Sequence, residues 1–221
     1  HRNSPNDFQA LLEASDQQFW CLKHDSRVQA AAVLIEEPVV EAPLLEAIRA
    51  GERRLAGQLL RQSLAFYCQN CTLSALPGGR IQRIATAMEL RREGRASMLL
   101  RTIEDQARQQ GQAWIGTSFP AESGLIRFWR ANGYRLIRLG LQLDRITGLP
   151  SVLALKVLQP GLEDELTALQ QQFNRRLFHG LSRQWRHLNP DAVRALWPDH
   201  IADPQHSDTN TAVAETEILR R

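Results

Sequence analysis

The sequence predicts an α/β fold, a mixed sheet covered by helices, with a helical C-terminal extension. Three observations predict it. Strand-like and helix-like apolar spacings alternate up to about residue 158. Pro160-Gly161 then breaks the pattern, and beyond it the spacing is helical only. Between them, Gly79 to Leu100 reads as a strand, a small-residue turn and the start of a helix. At 221 residues and 43% hydrophobic, the chain can build one good core plus an appendage.

Each element follows from its residues. Ser4-Pro5-Asn6-Asp7 is a helix start, with Ser as cap, Pro first and an acid in the first turn. Phe8, Leu11 and Leu12 continue it at helical spacing. Gln18 to Lys23 and Val28 to Ile35 read as strands joined by the turn His24-Asp25-Ser26-Arg27. Residues 42–50 form a short helix closed by Gly51, and a second short helix lies near Ser63 to Cys68. Pro77-Gly78-Gly79 reads as a turn before a strand from Ile81 to Met88. Ala96 to Gln110 is an amphipathic helix with Leu99, Leu100, Ile103 and Ala107 on one face, stopped by Gly111. A buried strand covers Ala113 to Thr117, and a helix covers Ser123 to Ala131, stopped by Asn132-Gly133. Tyr134 to Leu143 and Ser151 to Leu158 are strands around the turn Thr147-Gly148-Leu149-Pro150. Asp203 to Arg221 is polar, lacks aromatics and reads as a flexible tail or truncated linker.

Composition narrows the function. No apolar run approaches the roughly 20 residues of a membrane span, and no signal-peptide pattern is present. Three cysteines make no disulfide framework, so a cytoplasmic location is expected. Cys68-x-x-Cys71 has no second cysteine pair to complete a zinc set, so it reads as packing and no metal is expected. The chain opens on His1 and is expected to be a piece of a longer protein. Lys23 and Lys156 are the only lysines among 27 basic residues. Arginine forks suit phosphates and stack on bases, although a GC-rich genome gives the same bias.

The Gly79–Leu100 stretch carries the chemistry. A strand running through a small-residue turn into a helix aims backbone N–H groups and a helix N-terminus at one point, where a phosphate sits well. Gly94 and Ala96 leave little side chain over that backbone, and Arg91, Arg92 and Arg95 add counter-charge. Leu166 to Pro190 holds Arg175, Arg176, Arg183 and Arg186 with Phe173, Phe178 and Trp185 between them and no acid. A solvated helix face is the plain reading. Phosphate neutralisation beside stacking surfaces is the pointed one.

The spacing Arg91-x-x-Gly94-x-Ala96, and Phe128-Trp129 followed by Gly133-Tyr134, resemble the GCN5-related N-acetyltransferases in type and order. The flanks resemble more closely the bacterial tRNA(Met) cytidine acetyltransferases. The carrying segments are residues 80–89, Arg92-Glu93-Gly94, Ser118-Phe119 with Arg127-Phe128-Trp129, His1 to Asp7, and Gly57 to Leu64. Together they cover roughly residues 1–158.

The resemblance implies an acyl-CoA N-acyltransferase fold over 1–158, a basic RNA-binding extension over 159–202 and a tail over 203–221. It implies an enzyme that moves acetyl from acetyl-CoA to the N4 amine of the wobble cytidine of elongator tRNA(Met). ATP would be used only by a module outside this sequence, which has no G-x-x-x-x-G-K-[S/T] motif. Ile84, Ala85 and Thr86 would line the cofactor and bond its pantetheine arm through the main chain. Arg91, Arg92, Glu93, Gly94, Arg95, Ala96 and Ser97 would hold the pyrophosphate. Arg130, beside the family's basic cofactor position, which here is Ala131, would be the basic cofactor contact on that helix.

An amide of Ala85 or Thr86 would stabilise the oxyanion. Glu122 is the candidate base, or else a solvated helix-start acid, since the family's Glu falls where this chain has Gly124. Tyr134 is either an acid or a core residue, and Trp129 either core or cofactor wall. Arg127, with the four arginines of the extension, would contact RNA. Two other readings stay open. One is a protein or small-amine acetyltransferase. The other is a degenerate CoA- or RNA-binding domain, suggested by the departures at Ala87-Met88, Ala96 and Gly124.

Overall fold

The computed structural model describes residues 17–25 and 27–197. The helix expected from Ser4 and the tail from Asp203 lie outside them. The described chain runs β1 (Gln17–His24), β2 (Arg27–Glu37), α1 (Ala42–Arg49), α2 (Leu59–Gln62), a π-helical turn (Ser63–Tyr67) and α3 (Cys71–Ala75). It continues with β3 (Gly78–Thr86), α4 (Arg95–Gln109), β4 (Trp114–Pro120), α5 (Ser123–Ala131), β5 (Arg135–Leu143), β6 (Pro150–Val157), α6 (Glu163–Gly180) and α7 (Pro190–Leu196).

The strands form one mixed six-stranded sheet in the order β1-β2-β3-β4-β6-β5. Only β3 and β4 run parallel, and their ladder is four pairs long, ending at Ile81 and Thr117. Beyond it β3 stays paired with β2, while β4 stays paired with β6. The sheet therefore splays open between Gln82–Thr86 and Ser118–Pro120.

A bulge accompanies the splay. Val33 pairs with Arg83 and Leu34 with Ile81, so Gln82 is the extra residue. The Ile81 carbonyl faces β4, where it accepts from Thr117 Oγ1 at 3.0 Å. The Ala87 amide faces β2, donating to Gln29 O at 2.9 Å. Ile81 and Ala87 are an even number of residues apart and would face the same side of a regular strand. The bulge reverses the alternation, and so turns the amides of Ile84 and Thr86 into the splay.

One apolar cluster joins the α4 face (Leu99, Leu100, Ile103) to the sheet and to Ile126 and Trp129 of α5. It runs on into Phe173 and Leu177 of α6, Trp185 of the segment after it and Leu196 of α7. A second cluster holds Leu60, Leu64, Leu73 and Trp114 with Leu166 and Leu169 of α6. Sequence character changes at residue 158, but the apolar core continues across it.

Pro77-Gly78-Gly79 is not a turn. Gly78 and Gly79 open β3, because the Trp114 ring from β4 lies across the backbone there. A Cβ on Gly78 would stand 2.3 Å from that ring. Cys68 is buried in the second cluster, where burial pushes its thiol up to about 11, and Cys71 is exposed. No helix among the described residues is long and apolar enough to cross a membrane.

Candidate functional site

The segment after β3 turns twice through left-handed backbone, at Arg92 (φ 67°) and Gly94 (φ 77°). Glycine takes this conformation without strain, whereas arginine does not. Gly94 is the N-cap of α4, no side chain caps that end, and the first turn holds no acid. The first amides of α4 are therefore free to bind an anion. They open on a cavity of about 620 Å³.

One wall of the cavity is Thr86 with Arg91, Arg92, Gly94, Arg95, Ala96 and Ser97. The other is Leu125 and Phe128 of α5, with Glu122 at its start. Two observations fit this cavity to an anionic group such as the diphosphate that the resemblance implies. A Cβ on Gly94 would meet no protein atom within 4 Å, so the space above it is open. The Nε of Arg95, a cavity residue, is buried and has no partner. Glu93 stands outside the lining, with its carboxylate 3.7 Å from Arg95 Nη2.

Ile84 and Ala85 do not line the cavity with their side chains. Ile84 packs on the first core cluster, and Ala85 is exposed and pairs with Ala31. The bulge separates their main chains as well. The amides of Ile84 and Thr86 face the splay, and that of Ala85 faces β2. Glu122 shares the cavity with three arginines and makes no cap hydrogen bond.

Arg130 lies elsewhere. Its Nη1 donates to the carbonyls of Ala195 at 2.8 Å and Trp197 at 2.9 Å, tying α5 to the end of α7. With Arg127 and Arg194 it lines a separate hollow of about 310 Å³. Arg127 also bonds Ser123 Oγ at 3.1 Å.

Trp129 packs between Phe119 and Tyr134, at ring distances of 6.0 and 4.8 Å, so it is a core residue. Phe128 is the aromatic wall of the cavity. Tyr134 is 2% exposed, and burial, with Glu104 adding, pushes its hydroxyl well above the usual phenol range. Tyr134 packs in the first core cluster and is not among the residues that line the α4 cavity.

Arg175, Arg176 and Arg183 meet in a second cavity of about 560 Å³ at the outer edge of β5. Arg186 is exposed and outside it. Sequence reasoning missed Tyr67, Arg138 and His179, which share that cavity. The available signal for Arg138 was a lone charge at the centre of the apolar run Leu136 to Leu141.

The acetyltransferase (GNAT) family model matches residues 2–134. Among curated proteins, the chain is 34% identical over 153 residues to a tRNA(Met) cytidine acetyltransferase of Idiomarina loihiensis, covering 69% of this chain and 25% of that protein. It is 33% identical over 177 residues to the protein of that name from Salmonella typhimurium, covering 80% and 25%. It thus spans about a quarter of the length of these relatives. Among solved structures, an agmatine N-acetyltransferase superposes with TM-score 0.50 at 17% identity, covering 71% of this chain and 84% of that one. This last likeness concerns the fold alone.

Proposed function

Because this chain belongs to the acetyltransferase (GNAT) family, we propose that it transfers acetyl from acetyl-CoA to the N4 amine of a tRNA cytidine. The acceptor in this reading is the wobble cytidine of elongator tRNA(Met), and ATP is used by a module outside this sequence. The observation that carries the reading is the uncapped, arginine-rich start of α4. It opens beside a sheet edge whose free amides belong to Ile84 and Thr86. The similarity to tRNA(Met) cytidine acetyltransferases supports the acceptor.

The residues divide the work as follows. The amides of Arg95, Ala96 and Ser97, with Arg91 and Arg92, hold the pyrophosphate. The splayed edge of β3 bonds the pantetheine arm, which extends toward the opening of the sheet. The cytosine amine is neutral at pH 7, but its lone pair is delocalised into the ring. Catalysis therefore leans on positioning and on oxyanion stabilisation.

The amine nitrogen attacks the thioester carbonyl, the C–S bond breaks and CoA leaves as thiolate. The amine loses one proton, to water or to Glu122. In this reading the Thr86 amide, which faces the splay, stabilises the oxyanion, whereas the Ala85 amide is committed to β2.

The test is to incubate the intact parent protein with acetyl-CoA, ATP and unmodified elongator tRNA(Met), followed by nucleoside mass spectrometry. N4-acetylcytidine is the expected product. Acetylation of a polyamine or protein instead would overturn the tRNA reading, and no acetylation of any acceptor would favour a degenerate binding domain. Arg92→Glu and Gly94→Trp should each abolish acetyl-CoA binding by titration calorimetry. Unchanged affinity would remove the loop from the site.

A further inference from the structure

We propose that the cavity at the edge of β5 takes one unstacked nucleotide of the RNA, with its base against the aromatic floor and its phosphate among the arginines. This rests on the tRNA reading above and deepens it from a basic surface to a built pocket.

Charge is the first argument. Arg138, Arg175, Arg176 and Arg183 line the cavity, and none of the residues lining it is acidic. The side chains of Arg175 and Arg183 make no hydrogen bond or ion pair among the described residues. Burial, and Arg176 beside it, oppose the charge on Arg138. Cations gathered in a recess without a counter-ion favour an anionic ligand. A volume of about 560 Å³ is within the usual range for a small-ligand site.

The second argument is that the walls are flat, apolar and held in place. The Arg138 guanidinium lies 3.6 Å from the centre of the Tyr67 ring. The Tyr67 carbonyl accepts from Arg176 Nη1 at 3.0 Å, so the tyrosine is fixed on both sides. Trp185 is fixed as well: its Nε1 donates to the Gly140 carbonyl at 2.8 Å. Its ring packs where Gly180 has no side chain, since a Cβ there would stand 2.3 Å from it.

Phe173 and Leu139 complete an apolar surface beneath the arginines. An inorganic anion would use only the charge, and a lipid tail only the floor. A nucleotide uses both, and a base freed from its stack offers the face that Tyr67 and Arg138 can accept. A paired base inside a duplex does not.

The experiment uses the full 221-residue chain and two probes: a single-stranded oligoribonucleotide with the sequence of the tRNA(Met) anticodon loop, and a duplex RNA of the same length. The inference expects tighter binding of the single strand. Tyr67→Ala, and separately Arg175→Glu with Arg183→Glu, should each weaken it on the order of tenfold. The arginine pair should also flatten the salt dependence, and acetyl-CoA affinity should stay unchanged. Ultraviolet cross-linking of the wild-type chain to a 4-thiouridine oligonucleotide needs no variant to fold, and should place the adduct on Tyr67 or Trp185.

Adducts confined to other surfaces, or variants that weaken single strand and duplex equally, would overturn the pocket while leaving the tRNA reading intact. Absence of any RNA binding by the chain would overturn the pocket as well. The tRNA reading itself falls only if the intact parent makes no N4-acetylcytidine.

Discussion

Arg61 is among the largest side chains in the protein that solvent does not reach. Its guanidinium donates to the carbonyls of Ser74, Glu37 and Leu76, and so ties the end of β2 to the segment entering β3. Glu37 completes the junction: its carboxylate accepts from the amides of Leu60 and Arg61 at 3.1 and 2.6 Å and from Arg80 Nε at 3.2 Å. Removing the guanidinium leaves the carbonyls of Ser74, Glu37 and Leu76 without their donor. Arg61→Met should therefore lower the unfolding free energy by about 3–5 kcal/mol, measured by urea denaturation. Burial holds the Glu37 carboxyl above its ordinary value of 4.5, against the pull of the two amides and of Arg80 and Arg61. The folded chain thus binds this proton more tightly than the unfolded one. The stability this adds is complete below the unfolded value and is lost as pH rises through the folded value. Glu37→Gln has no such loss. Its denaturation midpoint should gain on the wild type as pH rises from 4.5, and a constant gap would contradict the burial argument.

At the level of elements, local chemistry made some readings accurate and left others blind. The α5 helix was legible to the residue, Ser123–Ala131, because its apolar stripe ends on Asn132-Gly133, a local stop signal. The turn into α4 was legible from local chemistry too, since Gly94 takes the left-handed backbone that caps the helix. Pro77-Gly78-Gly79 misled, since Gly78 is dictated by a ring from a neighbouring strand rather than by a turn. Gly78→Ala should cost about 1–3 kcal/mol by thermal or urea unfolding, with the Trp114 fluorescence altered in the folded state. The bulge at Gln82 was invisible, because it exists only as a register between two strands. It separates the amides of Ala85 and Thr86, which sequence alone left equivalent. Arg130 was read as a neighbour of the cofactor from its position on α5. Only the packing of α7 reveals that two carbonyls there take its guanidinium.

For the whole molecule, the C-terminal helices do more than append charge. Phe173, Leu177, Trp185 and Leu196 share one core with the sheet, and α6 with the turn after it supplies Arg175, Arg176 and Arg183 of the β5-edge cavity. Truncation after residue 158 should therefore expose sheet surface and give an aggregating product, seen by size-exclusion chromatography. A folded monomer would show that the core does not depend on α6 and α7.

The four-pair ladder between β3 and β4 is a seam joining two three-stranded halves. Past Ile81 nothing among the described residues closes it, so a molecule lying along that edge would act as a stitch. Hydrogen exchange should register this directly. The amides of Ile84 and Thr86 should exchange fast in the free protein and slow sharply when acetyl-CoA is added, while that of Ala85 stays protected throughout. At a concentration about a hundred times its Kd, the ligand should add about 2.7 kcal/mol to global stability. The sheet would then be a fabric left part-sewn, its last stretch of stitching supplied by the molecule it works on.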